Sequence, residues 1–380
     1  MMISVIIPSY NSRASLEACL ISLNHQELES GYSFEVVVVD DGSTDGTEGM
    51  VERLELQYEF RYIYKPRTEN SSRAAARNNG ILESSGDLIV FIDADEVVSP
   101  YCLAEHLRYH EIRSDMVVLG PRRYLADGAV NIELLAKSFS LDALPETAGL
   151  DPRLTLMNTV SYNLNNLATC WHYLHTCNAS VRRSHLFEVG LFDERFKGWG
   201  LEDSELGYRL RKHGLAFAFN KEAIVYHESI KARSDDLYPD WCRNIETFFD
   251  LHKNPEVATQ GILHRSFNPK EKDLSWIECA LRFEYATRAL QGRFSGKSIY
   301  QIIEVNEHNI EEECASLHEK SEKNDLLVID YVGDANLAAI VQCLRTKNEV
   351  LYFPRPSAKK RNQILADHRI SVNLKSAMGK

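Results

Sequence analysis

Residues 86–97 read GDLIVFIDADEV, and this stretch decides the fold. Leu88 to Ile92 is an apolar run without a polar break, the pattern of a strand buried on both faces of a helix-covered parallel sheet. The run then delivers Asp93, Ala94 and Asp95. Side chains at the carboxyl end of such a strand emerge into the crevice where open α/β sheets bind their ligands. Two carboxylates one residue apart repel unless something cationic lies between them. A divalent metal holding a diphosphate is the economical solution. The plain alternative is a pair of solvated loop acids.

Outward from this stretch the chain alternates strand and helix. Residues 3–7 (ISVII) predict a first strand stopped by Pro8. Asn11 or Ser12 can cap a helix whose apolar face is Leu16, Cys19, Leu20 and Leu23. Residues 35–39 (EVVVV) predict a second buried strand ending on Asp40 and Asp41, with a turn at Gly42. Thr44 to Leu56 reads as a helix, 61–64 as a short strand, and 71–83 as a helix carrying Arg73 and Arg77 one turn apart. Ser99-Pro100 has the form of a helix start. The alternation predicts a mostly parallel sheet with right-handed crossovers. No GxGxxG follows the first strand, which excludes the usual dinucleotide fingerprint. A nucleotide can still be held otherwise: Asp40 can accept from a base N–H, the loop Pro8, Ser9, Tyr10, Asn11 can pack on the base, and Arg73 or Arg77 can meet phosphate. Each has a plain reading as a turn or surface residue, and only their shared place at strand ends lifts the functional one. An acid-x-acid pair also opens enzymes with an aspartyl nucleophile. Those carry it after the first strand, whereas here several strand patterns precede Asp93.

Residues 116–176 are less regular and read as helices and loops covering the site. Cys170, His172, His175 and Cys177 are of zinc-ligand type but form one compact strip, whereas structural zinc sites separate their ligand pairs. A second informative stretch, 192–214, reads FDERFKGWGLEDSELGYRLRKHG. Phe196 and Trp199 flank glycines that let the backbone approach a ligand. Glu202 and Asp203 open a helix with Leu206 and Leu210 inward, closed by Gly214. Acids there are ordinarily caps, but beside an exposed tryptophan they suit a sugar site. Residues 223–227 (AIVYH) end a short strand on His227, a candidate metal ligand.

The bulk properties narrow the class. The chain has 380 residues, 44% hydrophobic, and a net charge of −12. With no long basic cluster, nucleic acid is not the expected partner. Anionic ligands then need local cations or a metal. Eight scattered cysteines fit reduced thiols and a cytoplasmic setting. No apolar stretch reaches transmembrane length, and the N-terminus lacks a signal pattern.

In this order, VIIPSYN, VVVDDGSTDGT, ARNNG, FIDADE, GWGLEDSELGYRL and VYHE resemble the family 2 glycosyltransferases of the GT-A fold. The GWGLEDSELGYRL segment is similar to part of galactosyl- and N-acetylgalactosaminyltransferase domains, including bacterial chondroitin-type polymerases. The resemblance covers about residues 1–235 and implies an inverting transferase that uses a UDP-sugar with Mn²⁺ or Mg²⁺. It implies Asp95 as the principal metal ligand, Asp93 on the ribose or the metal, and His227 as a third ligand. Asp203 falls on the catalytic base, Glu202 and Trp199 on the sugar pocket, and Asp40 with Pro8–Asn11 on the uracil site. It leaves open which of Arg73 and Arg77 meets the diphosphate.

The expected organisation is a catalytic domain over 1–235, a helical extension over 236–320, and a small α/β segment over 321–380 with strands at 326–331 and 349–353 around a helix. The acceptor is expected to be a glycan, a lipid-linked glycan or a peptide. Polysaccharide or oligosaccharide synthesis is the first reading, peptide or protein glycosylation the second, and a catalytically silent sugar-binding protein the third. Intact acids and His227 weigh against the third. A peripheral contact with the inner face of a membrane and an oligomer both stay open.

Overall fold

A computed structural model describes residues 1–228, 237–263, 275–290, 300–306, 326–332 and 349–355, with a few isolated positions between them. The chain divides into two compact units, Met1–Asn244 and Ile245–Lys380.

The first unit begins with β1 (Met2–Ser9), α1 (Arg13–Leu23), β2 (Ser33–Asp40), α2 (Thr47–Val51), β3 (Glu59–Tyr64), α3 (Arg73–Glu83), β4 (Leu88–Ile92), β5 (Glu96–Val98) and α4 (Cys102–Ile112). It continues with β6 (Met116–Leu119), β7 (Arg122–Leu125), α5 (Ile132–Lys137), β8 (Thr147–Leu150), α6 (Arg153–Thr159), β9 (Asn178–Arg182), α7 (Arg183–Val189), α8 (Glu202–Lys212), β10 (Ala216–Phe219), β11 (Val225–His227) and the first half of α9 (Leu237–His252). Seven strands form one sheet in the order β10-β6-β9-β4-β1-β2-β3. All its pairings are parallel except those of β9 with β4 and β6. The mixed α/β fold with a mostly parallel sheet is thus the one expected.

The apolar runs explain the centre of this sheet. All five residues of β4 are fully buried, as are Val36, Val37 and Val38 of β2 and Ile3, Val5, Ile6 and Ile7 of β1. Burying each such side chain contributes about 1.5–3 kcal/mol before conformational entropy is charged against it. Leu16, Cys19, Leu20 and Leu23 of α1 pack on this core. Chain order reverses direction between β1 and β4, which opens a crevice at the carboxyl ends of the strands. Gly80 lets α3 lie close against the sheet, since a Cβ there would stand 2.4 Å from Cγ2 of Ile6.

Several boundaries differ from the sequence reading. Pro8 does not stop β1. The strand runs on to Ser9, because its pairing with β4 ends at Ile6 and the proline faces a ladder already finished. The helix read over 44–56 shrinks to α2, and α4 starts only after a turn that follows Ser99. The region 116–176 is not only helix and loop. It supplies β7 and β8 to a second sheet, ordered β5-β11-β7-β8, whose short strands lack the long apolar runs of the first.

In the second unit, α9 ends, followed by α10 (Pro255–Ala258) and α11 (Trp276–Leu290). Three parallel strands follow: β12 (Tyr300–Asn306), β13 (Leu326–Val332) and β14 (Glu349–Arg355), paired in that order. The strands expected at 326–331 and 349–353 are present. β12, however, lies within the stretch read as helical, and the helix expected between β13 and β14 falls outside the described residues. Among the described residues no helix is long and apolar enough to cross a membrane.

Candidate active site

The acids of residues 93–96 sit where the two sheets meet. β4 ends at Ile92, the chain turns, and Glu96 enters β5 opposite His227 of β11. The Glu228 amide also donates to the Asp95 carbonyl at 3.1 Å, so β11 is tied to the turn. These bonds bring His227 Nε2 to 3.6 Å from Asp95 Oδ2. The other ring nitrogen, Nδ1, lies 2.7 Å from the Glu228 carbonyl, which can only accept. Nδ1 therefore carries the proton, and Nε2 presents its lone pair toward Asp95. Burial raises the Asp95 carboxyl above the usual carboxylate range. A protonated His227 would offset part of this, and neighbouring Asp93 adds to it.

Asp93 is treated differently. Burial alone would raise its pKa, but the Arg77 guanidinium, 2.9 Å from Oδ1, holds it below the usual range. Glu96, which the sequence reading passed over, is buried behind the pair and accepts from the Asp93 amide at 3.1 Å. Its own carboxyl is pushed well above the usual range by burial and by the charges of Asp93 and Asp95. Three acids thus crowd one turn: Arg77 compensates Asp93, while Asp95 and Glu96 are left holding their protons more tightly.

Arg77 and Arg73 part company despite their one-turn spacing. Arg77 is only 2% exposed and bridges two acids, donating to Asp93 and, at 3.2 Å, to Glu202. It is spent on carboxylates and so differs from the exposed phosphate ligand that its helical position suggests. Breaking a buried pair of this kind costs about 3–5 kcal/mol, because a charge is left uncompensated. Arg73, at the exposed start of α3, donates to the Gly198 carbonyl at 2.9 Å.

Glu202 and Asp203 open α8, whose N-cap is Leu201 in a left-handed conformation at φ 74°. Glu202 is buried against Arg77. Asp203 accepts from the Ser204 amide at 2.8 Å and is half-buried. Burial first, and then the Glu202 charge, push its carboxyl up to about 7, against the opposing pull of Arg77 and of backbone donors. The pairing of Arg77 with both Asp93 and Glu202 places the Asp203 end of α8 beside the end of β4.

The loop before α8 is held from an unexpected side. Trp199 is half-buried rather than exposed. Its amide donates to Asp240 Oδ2 at 3.1 Å. Asn244, 3% exposed, donates to the carbonyls of Lys197, Trp199 and Gly200 at 3.0, 3.2 and 2.8 Å. Gly198, at φ 69°, leaves no room for a Cβ, which would fall 2.0 Å from Asp240 Oδ2. Both clamp residues belong to α9 and lie about forty residues beyond the loop, so no local pattern announces them.

On the far side of the crevice, Tyr10 is exposed and the Arg67 guanidinium lies 3.8 Å above its ring. Asn11, at φ 48°, accepts from the Thr44 amide and ties the β1 loop to the β2 turn. Ser9 is buried at the end of β1, and its Oγ has no partner among the described residues. Asp40 is fully buried, with Oδ1 accepting from the Ser43 amide at 2.7 Å and Oδ2 from the Tyr62 hydroxyl. In this arrangement Asp40 builds the turn, and Asp41, joined to Arg67 at 2.8 Å, is the more open acid. Cys170, His172, His175 and Cys177 do not converge on a common point among the described residues.

A mostly parallel sheet thus gathers an acidic turn after β4, a histidine returning on β11 and, through Arg77, an acidic helix start at one crevice. Comparison makes the assignment specific. The glycosyl transferase family 2 profile matches residues 4–188, and the profile described as the N-terminal domain of galactosyltransferase matches 160–232. The uncharacterized glycosyltransferase YfnE of Bacillus subtilis (strain 168) is 30% identical over 277 residues, 64% of this chain and 67% of that protein. The chain belongs to glycosyltransferase family 2.

Chondroitin synthase of Pasteurella multocida (strain Pm70) is 30% identical over 249 residues, and validoxylamine A glucosyltransferase of Streptomyces hygroscopicus subsp. limoneus is 32% identical over 234. The aligned parts cover 62% and 58% of this chain, but only 25% and 50% of those relatives. S. aureus TarS 1-349 in complex with UDP-GlcNAc has the same fold, with a TM-score of 0.50 at 18% identity over 76% of this chain and 82% of that one. The family transfers a sugar from a nucleotide-sugar donor, and this chain carries the family's fold.

Proposed function

We propose that the chain is an inverting glycosyltransferase that moves a sugar from a UDP-sugar to an acceptor hydroxyl, with Mn²⁺ or Mg²⁺ at Asp93, Asp95 and His227. The observation that carries this reading is the facing of His227 Nε2 and the Asp95 carboxylate at 3.6 Å, with the imidazole tautomer fixed by the Glu228 carbonyl. An imidazole nitrogen and hard carboxylate oxygens, in a turn short of positive charge, suit Mn²⁺ or Mg²⁺ with the donor's diphosphate completing the shell. When bound, the ion supplies Lewis-acid neutralisation of the departing diphosphate.

The remaining roles fall to the chain itself. Arg77 fixes Asp93 and Glu202 relative to each other. Asp203 accepts the acceptor hydroxyl's proton as that oxygen attacks the anomeric carbon from the face opposite the diphosphate. Inversion follows from a single displacement. Trp199 offers its face to a sugar ring, and Tyr10 with the Pro8–Asn11 loop offers a surface to the uracil base, with Ser9 Oγ at its inner edge. Arg73, at the exposed start of α3, is better placed for the diphosphate than Arg77. Similarity to a chondroitin synthase supports a glycan acceptor.

The test is a donor-by-acceptor screen read by mass spectrometry, together with calorimetry of UDP and GDP. A UDP-sugar should give a mass shift on a glycan acceptor, and UDP should bind more tightly than GDP, because the Tyr10 surface beside the Asp40 turn suits a single-ring base. Equal affinity for the two nucleotides, or transfer from GDP-sugars only, overturns the UDP assignment. Transfer to a peptide alone moves the acceptor to the second class.

A further inference from the structure

Away from the crevice, α7 and the end of α8 bring three metal-ligand side chains together. His185 and Glu188 lie one turn apart on α7, and His213 is the C-cap residue of α8. Glu188 Oε2 is 2.8 Å from His185 Nδ1 and 3.0 Å from His213 Nε2, and all three donor atoms lie within 4.8 Å of one another. Among the described residues this is the one group of three or more His, Cys, Asp or Glu side chains so gathered. The geometry points to a second cation site, distinct from the catalytic crevice, that takes a transition-metal ion such as Zn²⁺ on His185, Glu188 and His213.

Two imidazoles and a carboxylate are a donor set for Zn²⁺, Ni²⁺ or Cu²⁺ rather than for Mg²⁺ or Ca²⁺. Bonds of about 2.0–2.2 Å to a central ion need the donor atoms about 3.3 Å apart. The present spacings must therefore open by a few tenths of an ångström. Glu188 and His213 are exposed and can move that far, while His185, on the more enclosed side, anchors the group. Each imidazole must offer the lone pair of the nitrogen that faces Glu188, its proton passing to the other ring nitrogen or to solvent.

The surroundings tolerate the added charge. The site lies at the carboxyl end of α8, where the helix dipole favours a cation. Arg209, the basic residue that reaches the carbonyl next to Glu188, is held bidentate by Glu205. Asp115 lies close enough to His185 to feel its charge. Solvent fills the remaining coordination positions. Bound metal would tie α7 to the end of the helix whose beginning carries Asp203, and so stiffen the scaffold behind the base.

The rival is a carboxylate that merely accepts two imidazole hydrogen bonds, and substitution separates the two. Zn²⁺ is titrated by calorimetry into the full chain carrying D95A and H227A, which removes the crevice as a competitor. One equivalent should remain, and Co²⁺ in its place should give a visible ligand-field band. Adding H213Q should weaken binding on the order of ten-fold or more, since loss of even an outer-shell partner costs that much at metal sites. Adding E188Q should also weaken it, although Gln still accepts both hydrogen bonds, and the melting temperature without metal should hardly move. No equivalent of Zn²⁺ in the D95A H227A chain, or one whose affinity ignores H213Q and E188Q, overturns the site. If the D95A H227A chain does not fold, the same comparison is made between the unmodified chain and H213Q alone under saturating Mg²⁺, with the same two outcomes.

Discussion

Asp203→Asn is expected to lower transfer by ~10²-fold or more, the scale of losing a general base, while leaving the fold and UDP binding in place. The substitution keeps the size of the side chain and its bond from the Ser204 amide, and removes only the proton acceptor. The same residue fixes the pH dependence. Burial and Glu202 push its carboxyl up to about 7, so below that pH it is protonated and cannot accept. The transfer rate should therefore rise with pH through about 7 and then level, and the rise should vanish in the variant. Stability runs the other way. A carboxyl raised above its ordinary value binds its proton more tightly in the native state, so the stability it contributes is full only below about 4 and is lost progressively as pH climbs from there to about 7. The Asn variant should melt close to the parent near pH 4 and higher than it at pH 6 and above. Near-normal transfer in the variant would place the base elsewhere, and Glu202, occupied by Arg77, would first have to be released to serve.

Removal of metal is the second large effect. Thorough chelation with EDTA should reduce transfer by ~10³-fold or more, several kcal/mol of leaving-group stabilisation, and Mn²⁺ should restore it. His227→Ala should raise the Mn²⁺ concentration needed for half-maximal rate, because one of the protein's ligands is lost. Chelation also strips the His185–Glu188–His213 group, so the experiment is repeated on H213Q. Recovery by Mn²⁺ should be the same there. Activity that survives chelation, or a Mn²⁺ requirement unchanged in H227A, would dissociate Asp95 and His227 from the metal.

The centre of the fold was legible in the sequence because parallel strands buried on both faces leave continuous apolar runs, as in ISVII, EVVVV and LIVFI. The acids at the ends of those runs inherit their location from the strands, so Asp40, Asp93 and Asp95 could be placed before any coordinates. The second sheet was not legible. β5, β7 and β8 are three or four residues long and mixed in polarity, and nothing local separates them from loop. Side-chain partnerships were harder still. Arg77 and Arg73 share a helix face, yet one is enclosed by acids from β4 and α8 and the other stays near solvent. The enclosure of Asp40 depends on Tyr62, which β3 brings alongside only through its register with β2. Such pairings are properties of the assembled fold and leave no trace in spacing.

The clamp on the Trp199 loop bears on how the chain divides into working parts. The family profiles end at residue 232, yet the loop that opens α8 is braced by Asp240 and Asn244. A chain ending at residue 235 would keep every acid of the crevice and lose the brace, leaving three loop carbonyls to water. Such a chain should bind UDP almost as well as the parent while its transfer rate drops, and Asn244→Ala in the full chain should reproduce most of that drop. The braced unit is therefore longer than the span the family profiles match. Divergence at two positions of a following helix can retune the loop that opens α8 without touching one signature residue.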